Sequence, residues 1–223
     1  MLFLLTHAPI RNWYTSLLEE KPLSARTLQE LQDYHPHLET YSQQYHIPIQ
    51  AVAAAVGSEI NRRIYVNRMI DIVQDYLFTT RFCSNDFLEW SLQTEFDNRY
   101  FNFTKQDLGL GNVQLGTAWQ MREEYPQEFE GVENLRDMAD YLLTTEGNIH
   151  VASVIIKHAN DLFQPHYGEL AEAEQSAVLF SYYKQGQSYY DRYASQSNFH
   201  RPPIPGGGQD IIEKLNATIY RGR

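Results

Sequence analysis

Ile49-Gln-Ala-Val-Ala-Ala-Ala-Val-Gly-Ser-Glu-Ile-Asn-Arg-Arg63 places one carboxylate, Glu59, at the end of an otherwise apolar run. At about 100° per residue around a helix, Val52, Val56 and Glu59 share one face. That face is expected to pack inward. A carboxyl held against apolar neighbours ionises with difficulty, so its pKa rises. A raised pKa suits a general acid near neutral pH. The competing reading uses Arg63, four positions on. A Glu59–Arg63 pair on a helix surface is worth only a few tenths of a kcal/mol and implies no chemistry.

Working outward, the pattern stays helical. Pro48 stands where a first helical turn begins, and Ile49–Tyr65 follows it. Ser24 is placed to N-cap Ala25–Tyr34, and Asp86 to cap a helix through Gln93. Leu135–Leu143 and Ile149–Phe163 have helical spacing. Glu169–Tyr193 reads as one long helix with an apolar stripe of Ala171, Val178, Leu179, Tyr182 and Tyr183. Phe96–Leu115 mixes aromatics, Asn and Gly, and reads as a short hairpin or irregular lobe. Asn198–Gln209 holds Arg201-Pro-Pro-Ile-Pro-Gly-Gly-Gly208, which does not continue a helix. Asp210–Ile219 is a final short helix. The expected fold is mainly α, a helical bundle with a small β-hairpin lobe beside a cleft. Residues 1–47 form a helical N-terminal extension packed on a domain spanning 48–223, one compact unit in all.

Composition narrows the function. The 223 residues suffice for one sizeable core. No apolar run approaches the roughly 20 residues that span a bilayer, so no membrane insertion is expected. A net charge of −10 argues against a nucleic-acid binder, which needs a basic footprint. It also argues against bulk attraction to an anionic surface, so an anionic polymer must be read by local groups. Cys83 is the only cysteine, which rules out an intrachain disulfide and fits a reducing compartment. His35/His37 and His158/His166 lack zinc spacing and read as surface or packing residues. The carboxylates and Asn residues around 95–112 form no calcium loop, so neither metal nor cofactor is expected. Met1-Leu-Phe-Leu-Leu-Thr-His7 is too short for a secretory core and lacks a basic start. The chain is therefore expected either to avoid that export route or to be cut from something longer.

Three further segments carry candidate chemistry. In Asp107-Leu-Gly-Leu-Gly-Asn-Val-Gln-Leu-Gly-Thr-Ala118, glycines let backbone approach a ligand. Asn112 and Gln114 offer amides to sugar hydroxyls and acetamido groups. The segment lacks the spacing and the Lys of a phosphate-binding loop. Glu146-Gly-Asn-Ile-His150 opens a helix. Tyr182-Tyr-Lys-Gln-Gly186 sets two tyrosines before a glycine. A tyrosine ring suits a sugar face and equally well packs a helix.

The order and spacing of these segments resemble the lysozyme-like superfamily of soluble lytic transglycosylases and goose-type lysozymes. Val52–Asn61 resembles the family's apolar helix, with Glu59 at the catalytic Glu. Gly111-Asn-Val-Gln114, with Thr117-Ala118 following, resembles its Gly-Leu-Met-Gln segment. Asn148-Ile149 matches an Asn-Ile helix start, and Tyr183-Lys-Gln-Gly186 resembles a Tyr-Asn-x-Gly turn that lines the cleft. The resemblance covers roughly residues 48–190. Ile60 replaces the usual Ser, Asn112-Val113 the Leu-Met, and Lys184 the Asn, so the substrate contacts belong to a divergent branch.

The resemblance implies a muramidase cleaving the β-1,4 bond between N-acetylmuramic acid and N-acetylglucosamine in the peptidoglycan glycan strand. Glu59 is then the general acid, and Asn112, Gln114, Tyr182 and Tyr183 bind substrate. Inverting hydrolysis needs a second carboxylate about 6.5–9.5 Å away. Asp107 matches an Asp that goose-type enzymes carry before the Gly-rich segment, although a plain turn role competes. Asp97 is the other candidate, with pairing to Arg99 or solvation competing, and Glu95 shares that ambiguity. Lytic transglycosylation, in which the sugar's own 6-hydroxyl attacks, needs no second carboxylate and is the alternative. A non-catalytic peptidoglycan-binding module and a plain helical interaction domain are the other classes. The expected setting is an antibacterial effector, made without a signal peptide. It would act in the periplasm or cell wall of a target bacterium and be blocked by an immunity protein.

Overall fold

The computed structural model describes residues 22–62, 75–80, 83–93, 104, 107–167, 170–194 and 206–220. Within them the chain is mainly helical with one small antiparallel sheet. The helices are α1 (Ala25–Asp33), α2 (His35–Tyr45), α3 (Ile49–Arg62), α4 (Asn85–Gln93), α5 (Leu115–Glu124), α6 (Leu135–Leu142), α7 (Thr145–Phe163), α8 (Glu172–Gln185), α9 (Gln187–Ala194) and α10 (Gly206–Thr218). Short 3-10 turns at Pro126–Glu128 and Gln164–His166 follow α5 and α7.

Helix α3 lies at the centre. Every residue from Ala51 to Asn61 is buried, not only the Val52, Val56 and Glu59 face. Helices α1, α2, α7, α8 and α10 all pack on it. The sequence explains this, because Ala51, Ala53, Ala54 and Ala55 keep the helix thin on every side. A helix apolar all round is one that is surrounded. The exceptions are Ser58, Glu59 and Asn61 near its end, all buried, and Glu59 is the one that carries a charge.

Local chemistry sets most helix ends. Ser24 caps α1 by accepting from Thr27 N–H at 3.1 Å. Asn134 and Thr144 do the same for α6 and α7, so α7 begins at Thr145, ahead of the predicted Ile149. At α4, Ser84 accepts from Phe87 N–H at 3.3 Å, while Asp86 sits in the first turn and is not the cap. The predicted single helix Glu169–Tyr193 is two. Gly186 has φ 66°, a left-handed value that favours glycine, and it divides α8 from α9. The last helix starts at Gly206, inside the run read as helix-breaking. There Gly208 lies against Phe180 and Ser181 of α8, and close packing outweighs poor propensity.

The hairpin consists of β1 (Asp107–Leu108) and β2 (Val113–Gln114). Its register pairs Asp107 with Gln114 and Leu108 with Val113. Directly opposed residues share a face. Leu108 and Val113 therefore enter the core together, and Asp107 and Gln114 are left on the other side.

A buried polar chain ties α2 to α7. Tyr45 Oη lies 2.9 Å from Glu128 Oε2 and 2.5 Å from His150 Nε2. A carboxylate only accepts, so the single Tyr45 proton goes to Glu128. His150 then carries its proton on Nε2, and Nδ1 accepts from Tyr141 Oη at 2.9 Å. The Tyr41 ring stacks on the imidazole at 4.6 Å. Burial holds the His150 pKa down at about 4, against the opposing pull of Glu128 and Glu146. Between that value and the ordinary 6.5, the unfolded chain binds a proton that the folded chain refuses. This contribution to stability is complete above pH 6.5 and disappears as the pH falls to about 4, for a change of about 3 kcal/mol. Urea unfolding of the wild type and of His150→Gln, compared from pH 7 to pH 4, is expected to show the gap between the two curves narrowing with acid. A pH-independent gap would contradict the buried neutral imidazole.

Candidate active site

A cleft of roughly 600 Å³ opens between the end of α3, the hairpin, α5, α7 and the end of α8. Its walls include Glu59, Asp107, Asn112, Gln114, Tyr182 and Tyr183, all six residues singled out from the sequence. The volume lies within the ordinary range for small-ligand sites.

Glu59 is 5% exposed. Lys184 Nζ donates to its Oε1. The Arg62 guanidinium is 3.9 Å from Oε2, beyond hydrogen-bond reach, and Oε2 is buried with no hydrogen-bond partner among the described residues. The surroundings therefore differ from the apolar pocket expected. Both oxygens face a cation, but only Oε1 accepts a hydrogen bond from one. Arg63, the partner considered from the sequence, lies outside the described residues, as do Glu95, Asp97 and Arg99.

The hairpin is tied to the helices at the cleft chiefly by Asn148. Asn148, in the first turns of α7, is wholly buried. Its Oδ1 accepts from Gly111 N–H at 2.5 Å, and its Nδ2 donates to Leu108 O at 3.0 Å and to Leu142 O at 2.9 Å. The contact is close enough to require glycine. A Cβ on Gly109, where φ is +63°, would meet Leu142 O at 2.0 Å, and one on Gly111 would meet Asn148 Oδ1 at 2.7 Å. The glycines read as a ligand approach are instead an approach of backbone to Asn148.

Asn112 takes the left-handed turn position, with φ 56°, and its Nδ2 reaches Asp107 Oδ2 at 3.5 Å. Gln114 precedes α5 without capping it, so its amide is not spent on the helix end. Tyr183 Oη donates to Gly111 O at 2.7 Å. Burial, and then the charges of Glu59 and Asp107, push its phenol well above the ordinary value. It therefore stays a neutral donor holding the hairpin. Tyr182 is buried, and its hydroxyl donates to Gln187 Oε1 at 3.1 Å. Both hydroxyls are already engaged, so these tyrosines present ring walls to the cleft.

The structure adds residues that the sequence reading did not place here. Arg62, Lys184 and His158 line the cleft. His158 Nδ1 lies 2.9 Å from Glu124 Oε1 and 3.1 Å from Tyr125 Oη. In the sequence Lys184 is only a departure from a turn motif, and nothing local signals its pairing across 125 residues. Cys83 is fully buried, and burial pushes its thiol up, which leaves it inert as a nucleophile. Among the described residues no three His, Cys, Asp or Glu side chains converge as a metal site, and no helix is long and apolar enough to cross a membrane. No protein family, curated protein or solved structure matches this chain.

Asn148→Ala removes three hydrogen bonds and leaves three buried backbone groups without them. It is expected to destabilise the fold by about 2–4 kcal/mol and to abolish slow amide exchange at Gly111. Protection at Gly111 unchanged in the variant would mean that the hairpin is held by something else.

Proposed function

We propose that the cleft cleaves the β-1,4 glycosidic bond between N-acetylmuramic acid and N-acetylglucosamine in peptidoglycan, with Glu59 as general acid. The observation that carries this reading is the Glu59 carboxyl. It is nearly buried at the cleft with one oxygen unsatisfied, on the only polar stretch of an otherwise apolar central helix. A buried polar atom without a partner is costly, and a ligand hydroxyl donating to Oε2, or a glycosidic oxygen accepting from it once Glu59 is protonated, would relieve that cost. The resemblance of the four segments, in their order, supplies the substrate class.

In this scheme the glycosidic oxygen takes the proton from Glu59 Oε2 as the bond breaks. Asn112 and Gln114 hold acetamido and hydroxyl groups, and the Tyr182 and Tyr183 rings bound the sugars. For hydrolysis, Asp107 on the hairpin activates water from the opposite face of the sugar. Its charge and that of Glu59 both act on the Tyr183 phenol, which supports placing the two carboxylates about one tyrosine. Transglycosylation uses the same acid and leaves Asp107 without a chemical role. The Lys184 contact favours a second reading, because a site that only binds glycan has no need to release Glu59 from its cation. The cell-wall setting and an inhibitor protein over the cleft go with the catalytic reading and rest on it.

Glu59→Gln keeps the side-chain shape and an acceptor for Lys184. Purified sacculi are to be digested with the wild type, Glu59→Gln and Asp107→Asn, and the soluble muropeptides read by mass spectrometry. The expected result is reducing muramic acid ends, lost by about 100-fold or more in Glu59→Gln and strongly reduced in Asp107→Asn. Anhydro ends with an active Asp107→Asn would make it a transglycosylase. Glycan binding with no Glu59-dependent product would leave a binding module.

A further inference from the structure

Lys184 has no counterpart in the turn that its segment resembles, yet it makes the closest contact to Glu59. It sits in the last turn of α8, where the helix end favours a cation. Tyr183 beside it is pinned to Gly111, so the Lys184 backbone is fixed at the cleft wall. Its side chain is 20% exposed, against 7% for Glu59. Lys184 is therefore the more exposed side chain of the pair, and the one that an incoming anion meets first. Arg62, also on the cleft, is 3.9 Å from the same carboxylate. In a chain of net charge −10, Arg62 and Lys184 balance Glu59 and Asp107 in the lining of this cleft, so an incoming anion meets less repulsion here than over the chain as a whole.

We infer that Lys184 is the specificity residue of the cleft, reading a carboxylate carried by the muramic acid unit of the glycan. This inference rests on the glycosidase reading above. When that carboxylate arrives, it exchanges for Glu59 as the partner of the ammonium. Lys184 swings on its flexible stem from Glu59 Oε1 to the substrate. Glu59 takes up a proton from solvent and holds it toward the glycosidic oxygen. A neutral glycan of the same linkage offers no anion to make the exchange, and Lys184 stays on Glu59. The ion pair thus acts as a latch that the correct substrate opens.

Two sources supply such a carboxylate. One is the lactyl group of stem-free muramic acid, and the other is the stem peptide. The test compares kcat/KM of the wild type, Lys184→Met and Lys184→Arg on three soluble glycans of equal length. These are stem-free peptidoglycan strands, strands with intact stems, and chitin oligosaccharides. The wild type is expected to prefer at least one muramic acid glycan over chitin by about tenfold or more. The preferred glycan identifies the source. Lys184→Met loses the preference, because it slows on the muramic acid glycans while its chitin cleavage rises as Glu59 is no longer held by the ammonium, and Lys184→Arg retains it. A wild type that cleaves all three alike overturns the inference and leaves the glycosidase reading intact. So does a folded Lys184→Met that keeps the preference. A folded wild type that cleaves none of them overturns both.

Discussion

The Asn148 carboxamide offers one accepting oxygen and two N–H donors, and all three are spent on backbone. Through them α7, the end of α6 and the hairpin become one rigid corner. The hairpin is only two residues long on each side, too short to be stable by itself. The Asn148 clamp supplies most of the hydrogen bonds that fix Asp107, Asn112 and Gln114 relative to Glu59. With it, the Asp107–Gln114 pair faces the cleft and the Leu108–Val113 pair seals the core. The Tyr183 hydroxyl adds a second tie, from α8 to Gly111. Three segments far apart in sequence are thereby held by groups that are themselves fully satisfied.

Helix α3 supplies the opposite wall by different physics. Its alanines let five neighbours approach, so the helix is fixed on all sides, and Glu59 is delivered to the cleft on a rigid support. Placing a carboxylate there is expensive unless it is paired. Lys184 satisfies one oxygen, and the other remains open. On the reading proposed above, a rigid support, an oxygen without a hydrogen bond and a cation on a flexible stem together allow an exchange of partners. The pairing with Lys184 and the availability of Oε2 are two aspects of one arrangement.

Six residues of the cleft are legible in the sequence because each lies in a segment with a local signature. Glu59 interrupts an apolar helix, Asp107 to Gln114 surround glycines in a turn, and Tyr182 and Tyr183 precede a glycine. What stayed hidden is long-range. Lys184 meets Glu59 across 125 positions, and His150 meets Tyr45 across 105, and no periodicity encodes either contact. The helix ends failed where tertiary packing or a competing cap decided them. Gly208 enters a helix because it packs closely on α8, Gly186 ends one because of its left-handed φ, and Ser84 displaces Asp86 as a cap. Asn148 was noticed as part of a motif, but its role as a clamp needs the coordinates of three carbonyl and amide groups.

The central claim is that a glycosidic oxygen belongs against Glu59 Oε2, between α3 and the hairpin. The most direct measurement is a crystal structure of Glu59→Gln with a peptidoglycan tetrasaccharide bound. The account predicts a linkage oxygen within hydrogen-bond distance of the position-59 side chain, with an acetamido group on Asn112 or Gln114. A glycan bound elsewhere, or lying in the cleft with every linkage oxygen remote from position 59, would contradict it.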